Sequence, residues 1–212
     1  MKRLLIGAAL LLLIPTAAMA QAGAGFGPHD LSTNDTGARV CVFCHTPHGA
    51  STVSGPPLWN HTLSTNTFTA YDSPTMNAAD NNDWTGTGGN ASALCMSCHD
   101  GSVGLGSLIN PPNEGTITDP GVMGAVVANL GTDLSNDHPV AFTYDATLSG
   151  NDGELADPST LTGAVQLFGA GNDQVECSSC HDAHNQNAGG FDAPFLVMTN
   201  QASQLCDTCH NK

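Results

Sequence analysis

The chain has 212 residues, with 19 acidic and four basic side chains, and a formal net charge of −15 at neutral pH. A chain this acidic is repelled by nucleic acid and by anionic membrane surfaces, so the composition excludes both as partners. The composition allows cationic partners, metal ions and mineral surfaces. A simpler interpretation is that the acidic surface keeps an exported protein soluble.

Residues 1–20 have the three parts of a secretory signal peptide. Two basic residues start the chain, the apolar stretch 4–14 is too short to span a bilayer, and residues 18–20 form an A-x-A cleavage site. We therefore expect export of the protein and removal of this segment. Only Arg39 and Lys212 then remain as cations against the 19 acidic residues, which makes the mature net charge −17.

Regular structure is predicted to be scarce in the rest of the chain. Turn-forming sequences occupy residues 55–57, 86–89, 110–112 and 151–153. Short helices are predicted where a serine precedes a cysteine motif, at Ser92 before 94–99 and at Ser203 before 205–210. Two segments are predicted to form short strand pairs, residues 126–130 and 140–144. We expect a mostly irregular fold with short helices at the motifs and little strand.

Every cysteine of the chain belongs to one of four Cys-x-x-Cys-His motifs, at residues 41–45, 95–99, 177–181 and 206–210. In this pattern two thiols add across the two vinyl groups of one haem, and the two intervening residues form a single turn that sets the sulfur separation. The following histidine then lies under the ring and binds the iron as proximal ligand. The attachment residues are Cys41, Cys44, Cys95, Cys98, Cys177, Cys180, Cys206 and Cys209, and the proximal ligands are His45, His99, His181 and His210. The sequence therefore predicts four covalently bound c-type haems, with iron as the metal.

Three other interpretations of the motifs are weaker. Chance places histidine after all four cysteine pairs about once in 300,000 sequences of this composition. Zinc needs no histidine at a fixed offset, and small zinc modules space their cysteine pairs more regularly. Disulfides or a thioredoxin-like redox site would explain one motif, but not four that each end in histidine.

The haems also explain how such a chain buries a core. Aromatic residues make up 5% of the chain, beside 24 glycines and 12 prolines, so the polypeptide alone buries little apolar surface. We expect a haem stack wrapped by loops, and a haem-free chain that is unfolded. The motifs fall into two halves, 41–99 and 177–210, with a weak repeat that places His48 and His184 three residues after a proximal histidine. Because haems stack across such a boundary, we expect residues 21–212 to form a single domain.

Four six-coordinate haems need four more axial ligands. The remaining histidines are five: His29, His48, His61, His138 and His184. Methionine is the competing ligand type, with candidates Met76, Met96, Met123 and Met198, but the histidines suffice without it. Met96 lies inside a motif and is expected to pack on the porphyrin edge instead.

Position along the chain separates the five histidines in part. His48 and His184 lie too close to their own proximal ligands to reach the opposite face of the same ring, so we expect them to bind the next haem. The long segment between the second and third motifs is expected to carry His138 over a haem. His29 either folds back onto its own chain or binds a haem in a neighbouring subunit. His61 is the first choice for the spare histidine.

Two imidazoles on each iron leave no position for a substrate. Together with nearby negative charge they also favour the oxidised state, which gives low potentials. Haems of this kind pass electrons, and we do not expect the protein to be an enzyme.

Four phrases of the sequence, at residues 41–49, 57–61, 94–101 and 137–140, resemble the multihaem cytochromes of metal-reducing bacteria with paired Cys-x-x-Cys-His motifs. Motif count, length and export signal narrow the resemblance to outer-surface tetrahaem cytochromes that polymerise into extracellular filaments. It spans residues 26–212 and implies a continuous haem stack, two histidines on every iron, and one distal histidine donated by the adjacent subunit. Relatives of this kind often have another residue where His61 stands. The resemblance does not identify which of the five histidines crosses between subunits.

The leading functional hypothesis is a filament that conducts electrons from the cell surface to other multihaem cytochromes and to external acceptors such as metal oxides. The fourth motif and His29 stand near opposite ends of the chain, so a donor at one end and a haem at the other predict a head-to-tail contact between subunits. The alternatives are a soluble periplasmic tetrahaem shuttle and a multihaem reductase. A reductase needs a five-coordinate haem, which a supply of five histidines for four irons disfavours.

Overall fold

The computed structural model describes residues 27–51, 58–78, 91–161, 163–184 and 195–211. The predicted signal peptide, residues 1–20, lies outside this part of the chain, as do the predicted turns at 55–57 and 86–89. Within the described ranges, no helix combines the length and the apolar character needed to cross a membrane.

The described chain contains three α-helices and one pair of short strands: α1 (Ala91–His99), β1 (Phe142–Thr143), α2 (Ala146–Asp152), β2 (Gln174–Val175) and α3 (Cys177–Cys180). Single 3-10 turns cover Gly27–His29, Ser32–Asn34, Cys41–Phe43, Pro158–Thr160, Gln201–Ser203 and Cys206–Thr208. The two strands pair antiparallel, with Phe142 opposite Val175. Isolated bridges and turns connect the remaining segments. Regular structure is therefore scarce, while the haem-stack core stays a prediction.

The helices do not begin where the serines predicted. Ser92 is the second residue of α1 and not the residue before it. The backbone N–H of Ser92 donates to the carboxylate of Glu176 at 3.0 Å, so a residue 84 positions away caps this helix. Ser203 ends a 3-10 turn with φ of 64°, and the chain after it forms only the short turn Cys206–Thr208. Local sequence gives no sign of a cap supplied from so far along the chain.

The predicted strand at residues 126–130 is wrong. The N–H of Asn129 donates to the carbonyl of Val126 at 2.9 Å, and the N–H of Leu130 donates to the carbonyl of His99 at 2.8 Å, so this segment is a turn held against the end of α1. The segment 140–144 does contain β1, but its partner is β2. A strand of two residues is defined by its partner, which the local pattern does not identify.

Helix α2 is capped by its own sequence. The side chain of Asp145 accepts a hydrogen bond from the N–H of Leu148 at 2.8 Å. At the other end Gly153 has φ of 74°, and its N–H donates to the carbonyl of Ser149 at 3.0 Å. The predicted turn at 151–153 is thus the end of this helix, and the capped helix holds Leu148 in the core.

The hydrophobic core of the described chain is small. Its buried clusters consist of Met96, Leu134 and Ala141, and of Tyr144, Leu148 and Val175. Burying one side chain of this size contributes about 1.5–3 kcal/mol, whereas ordering the backbone costs about 1–2 kcal/mol for every residue. Six residues in two clusters do not offset the ordering of so many turns. A chain with this core needs further apolar surface or cross-links.

Arg39 is the one lysine or arginine in the described chain, and Asp35 engages it fully. The Nε and Nη2 atoms of Arg39 donate to the two carboxylate oxygens of Asp35 at 2.7 Å each. Nη2 also donates to the carbonyl of Glu114 at 2.6 Å. The guanidinium holds the pKa of the Asp35 carboxyl well below its usual range. The described chain therefore has no further lysine or arginine with which to neutralise its other acids.

We expect a variant with all eight cysteines replaced by serine to lack a cooperative fold. Removing the thiols prevents haem attachment, and the two small clusters do not hold the turns together. Far-UV circular dichroism and guanidinium titration check this, with the haem-loaded wild type as control. A two-state unfolding transition in the variant would show that the polypeptide core suffices.

Candidate haem sites

The four motifs form single helical turns. In three of them the N–H of the histidine donates to the carbonyl of the first cysteine, at 2.8 Å for His45, 3.0 Å for His181 and 2.9 Å for His210. The second motif forms the last turns of α1, which ends at His99. Residues four apart on a helix lie on one face, so each turn presents its first cysteine and its histidine on the same side.

The cysteines are eight free thiols in the structure. Burial raises the pKa of the Cys44 thiol to about 12, and of the Cys98 and Cys180 thiols to about 11. A nucleophilic or disulfide-exchanging cysteine needs a low pKa, so these thiols suit no such role. In the ranges that the structure covers, no three His, Cys, Asp or Glu side chains are grouped to hold a metal ion on their own.

Three proximal histidines face a second histidine ring. Metal–imidazole bonds are about 2 Å long and the ring adds about 1 Å on each side, so two imidazoles on one iron have ring centres about 6 Å apart. The three observed separations run from 6.0 to 6.4 Å. The ring separations of these three pairs therefore match those of two imidazoles that share one iron.

His45 faces His184. Their ring centres are 6.0 Å apart and their planes lie 13° from parallel. The Nδ1 atom of His184 lies 3.3 Å from a carboxylate oxygen of Asp182, an acceptor that places the proton on Nδ1 and leaves Nε2 for the metal. His184 thus faces the first motif and not His181 three residues before it, in line with the expectation that it reaches another haem.

His99 faces His29. The ring centres are 6.0 Å apart and the planes are nearly perpendicular, at 88°. The Nδ1 atom of His99 lies 2.7 Å from the carbonyl of Ala128, and that of His29 lies 3.3 Å from the carbonyl of Ala183. Both Nε2 atoms are thereby left for the metal. In this single chain His29 lies against His99, which corresponds to the first of its two alternatives, and its binding to a neighbouring subunit stays a prediction.

His210 faces His138. The ring centres are 6.4 Å apart, with 78° between the planes. The Nδ1 atom of His138 donates to the carbonyl of Pro139 at 2.8 Å, which again leaves Nε2 for the metal. The long middle segment does place its histidine over a motif, the fourth. The sequence-based contact between the fourth motif and His29 of another subunit stays a prediction, although in this chain the rings nearest to them are His138 and His99.

His181 and His48 remain without a facing histidine ring in the described chain. Desolvation lowers the pKa of His181, with a smaller effect from His99, so it is neutral as a metal ligand must be. His48 is exposed on the turn that follows the first motif. Within the described ranges, one predicted proximal ligand and one distal candidate are therefore without a facing histidine ring.

His61 is buried, and both of its ring nitrogens face backbone carbonyls. It is 1% exposed, and its two ring nitrogens lie 2.9 Å from the carbonyls of Thr62 and Gly104. Its Nε2 also lies 3.7 Å from the sulfur of Cys98. With both nitrogens facing carbonyls, His61 presents no lone pair to an iron, which supports its place as the spare.

The competing methionines have other contacts. Met96 is 1% exposed and packs with Leu134 and Ala141, and its expected contact with a porphyrin edge stays a prediction. The sulfur of Met198 accepts a hydrogen bond from the hydroxyl of Thr208 at 3.6 Å.

Cysteines of successive motifs lie near enough that, in each pair, one raises the pKa of the other. The neighbouring pairs are Cys44 with Cys98, Cys95 with Cys177, and Cys180 with Cys209. Of these, Cys95 and Cys177 are hydrogen-bonded, where α1 packs on α3. Each site thus adjoins the next, from the first motif to the fourth.

No protein-family model and no curated protein sequence matches the chain. The four motifs and the three ring pairs therefore carry the assignment of haem sites.

The motifs did not reveal the residues that orient the ligands. Ala128, Ala183 and Pro139 contribute backbone carbonyls, and a backbone carbonyl leaves no trace in residue type. Asp182 could have been found from the sequence, because an aspartate commonly accepts a hydrogen bond from the backbone N–H two residues later. In the structure its carboxylate accepts a hydrogen bond from the N–H of His184 at 3.0 Å.

Replacing His29, His138 or His184 singly by alanine is expected to convert one of the four haems from low-spin to high-spin, because each change removes one distal ligand. His61→Asn is the matched control and is expected to leave all four haems low-spin. Electron paramagnetic resonance and visible absorption spectra of the purified holoproteins measure the change. A high-spin haem in the His61 variant, or none in the other three, contradicts the pairings.

Proposed function

We propose that the protein is a tetrahaem electron-transfer cytochrome whose four sites form one continuous row. The observation that carries the proposal is the placement of three histidine rings about 6 Å from three proximal histidines. The row of neighbouring cysteines supports a path from the first site to the fourth. When bound, haem supplies an iron that exchanges one electron between its ferrous and ferric states.

The residues of the chain bind, orient and enclose the metal. Hydrogen bonds from Nδ1 to carbonyl or carboxylate acceptors fix the ring tautomers and raise the basicity of the ligating Nε2 atoms. Two histidines on one iron exclude a substrate, so these sites suit electron transfer and not catalysis. The acidic surroundings favour the oxidised state and low potentials, because the only described lysine or arginine is bound to Asp35.

We also propose that the protein polymerises through His48. The turn that presents this residue is well braced: the carbonyl of His48 accepts from the Thr46 hydroxyl at 2.8 Å and from the Asn110 amide at 2.5 Å. Gly49 follows with φ of 65° and has the side chain of Asn110 nearest to it. An exposed ligand on one copy and an incomplete site at His181 on another make a heterologous contact, which repeats without closing into a filament.

The proposed filament resembles the outer-surface tetrahaem cytochromes of metal-reducing bacteria. After export it carries electrons along the cell surface to other multihaem cytochromes and to external acceptors such as metal oxides. The same row without polymerisation would serve as a soluble periplasmic shuttle.

A second candidate function follows from His181. If no other subunit fills its distal position, the haem at the third motif has one free face, which is what a reductase requires. The placement of the other three ligand pairs restricts any such activity to this one site.

The variant His48→Ala is expected to abolish filaments and to make one of the four haems high-spin, because the haem at His181 loses its distal ligand. Electron microscopy and sedimentation of native material report assembly, and electron paramagnetic resonance reports the spin state. His61→Asn, a substitution of a second non-proximal histidine, is expected to keep both filaments and four low-spin haems.

The outcomes separate the candidates. Filaments that persist in the His48 variant contradict the contact, and wild type that stays monomeric at high concentration contradicts polymerisation in favour of the shuttle. A high-spin haem in wild type, together with nitrite or peroxide turnover, favours the reductase.

A further inference from the structure

Glu176 is a buried acid between the second and third haem sites. Its side chain is 1% exposed, and it directly precedes Cys177, whose sulfur is hydrogen-bonded to that of Cys95. Its backbone N–H donates to the hydroxyl of Ser179 at 3.0 Å, which anchors the start of α3. The carboxyl group therefore lies where the attachment helices of two adjacent haems meet.

The two carboxyl oxygens have different surroundings. Oε2 accepts hydrogen bonds from the N–H of Ser92, at 3.0 Å, and from the Ser92 hydroxyl. Oε1 is buried and has no hydrogen-bond partner in the described chain. A buried carboxylate oxygen without a donor is costly, whereas a protonated carboxyl supplies its own donor and loses its charge.

The other buried acids are stabilised as anions. Asp35 binds Arg39, and at Asp100 hydrogen bonds outweigh burial and lower the pKa of the carboxyl. At Glu176 burial prevails and raises the pKa, although the hydrogen bonds from Ser92 oppose the rise. Among these acids, Glu176 is the one whose surroundings favour the neutral form.

The titratable neighbours of Glu176 are the thiols of Cys95 and Cys177, on the two helices packed against it. Both become uncharged thioethers when haem is attached. Arg39 is already bound to Asp35, so no lysine or arginine of the described chain neutralises Glu176. The charge that changes near this carboxyl is that of the haem irons, and a loss of positive charge there weakens the stabilisation of the anion.

We propose that Glu176 takes up a proton when the haems at the second and third motifs are reduced, and releases it when they are oxidised. The proposal rests on the haem sites of the proposed function and adds proton coupling to the middle of the row. One electron arrives from a reduced neighbouring haem or an external one-electron donor. One proton arrives from solvent and bonds to a carboxylate oxygen, and both leave on oxidation.

The test is a redox titration of the holoprotein across neutral pH, for wild type, Glu176→Gln and Glu154→Gln. Glutamine at position 176 keeps the shape but does not titrate, and Glu154 is an exposed acid that makes the same charge change. We expect the midpoint potentials of two haems to fall with rising pH in wild type and in the Glu154 variant, and to lose that dependence in the Glu176 variant. The reduced-minus-oxidised infrared spectrum should show a protonated carboxyl that only the Glu176 variant lacks.

A further variant, Ser92→Ala, retains the acid and removes a hydrogen bond that lowers its pKa. The pH window of the coupling is expected to move upward in this variant, which keeps the proposal testable if the Glu176 variant fails to mature. The proposal is overturned if wild type shows no protonated-carboxyl signal on reduction, or if Glu176→Gln retains the full pH dependence. Failure of the proposed function appears separately, as fewer than four haems per chain in a pyridine haemochrome assay.

Discussion

The spacing of about 6 Å between facing imidazole rings is the constraint on which the rest of the structure depends. It joins segments far apart in the chain, because His45 faces His184, His99 faces His29, and His210 faces His138. The apolar clusters are too small to hold these segments together, so metal bonds across the gaps would supply the missing long-range links. Irregular backbone is acceptable in such a chain, because turns only need to bring each histidine to its place. Folding and cofactor binding become one event, and the fold has little reason to form helices or sheets beyond those that position ligands.

The same constraint shapes the electronic role. A ligand set that closes both faces of an iron removes substrate chemistry and leaves electron exchange, while the sequence of neighbouring cysteines aligns the sites one after another. The backbone carbonyls of Ala128, Ala183 and Pro139 hold the ring tautomers without adding positive charge. Because Arg39 is already bound to Asp35, acids prevail around the proposed haem sites, and this charge would favour low potentials.

Two features of the described structure are incomplete and bear on function: two histidines have no facing ring, and one buried carboxyl oxygen has no hydrogen-bond donor. His48 and His181 each lack a facing ring in the described chain, and the proposed contact between two copies would complete both at once. Glu176 keeps one buried oxygen without a donor between two haem sites, a condition that protonation relieves. A cofactor protein responds to its surroundings through groups whose stability depends on a partner, a proton or a redox change. The exposed His48 bears on the proposed assembly, and the buried Glu176 bears on the proposed coupling of proton uptake to haem reduction.

Sequence by itself predicted the chemistry, because covalent haem attachment needs two thiols and a histidine at one fixed spacing, and five further histidines bounded the supply of predicted distal ligands. It also indicated the scarcity of regular structure, since a chain poor in aromatic residues and rich in glycine and proline lacks the periodicity of long elements. Tertiary structure decided which rings face each other, that Ser92 is capped by Glu176, and that the strand at residues 142–143 pairs with 174–175. Those choices depend on residues tens of positions apart, and their energies arise only when the chain brings them together. The local sequence pattern indicates which groups a segment is able to bind, and long-range packing selects the segment that becomes its partner.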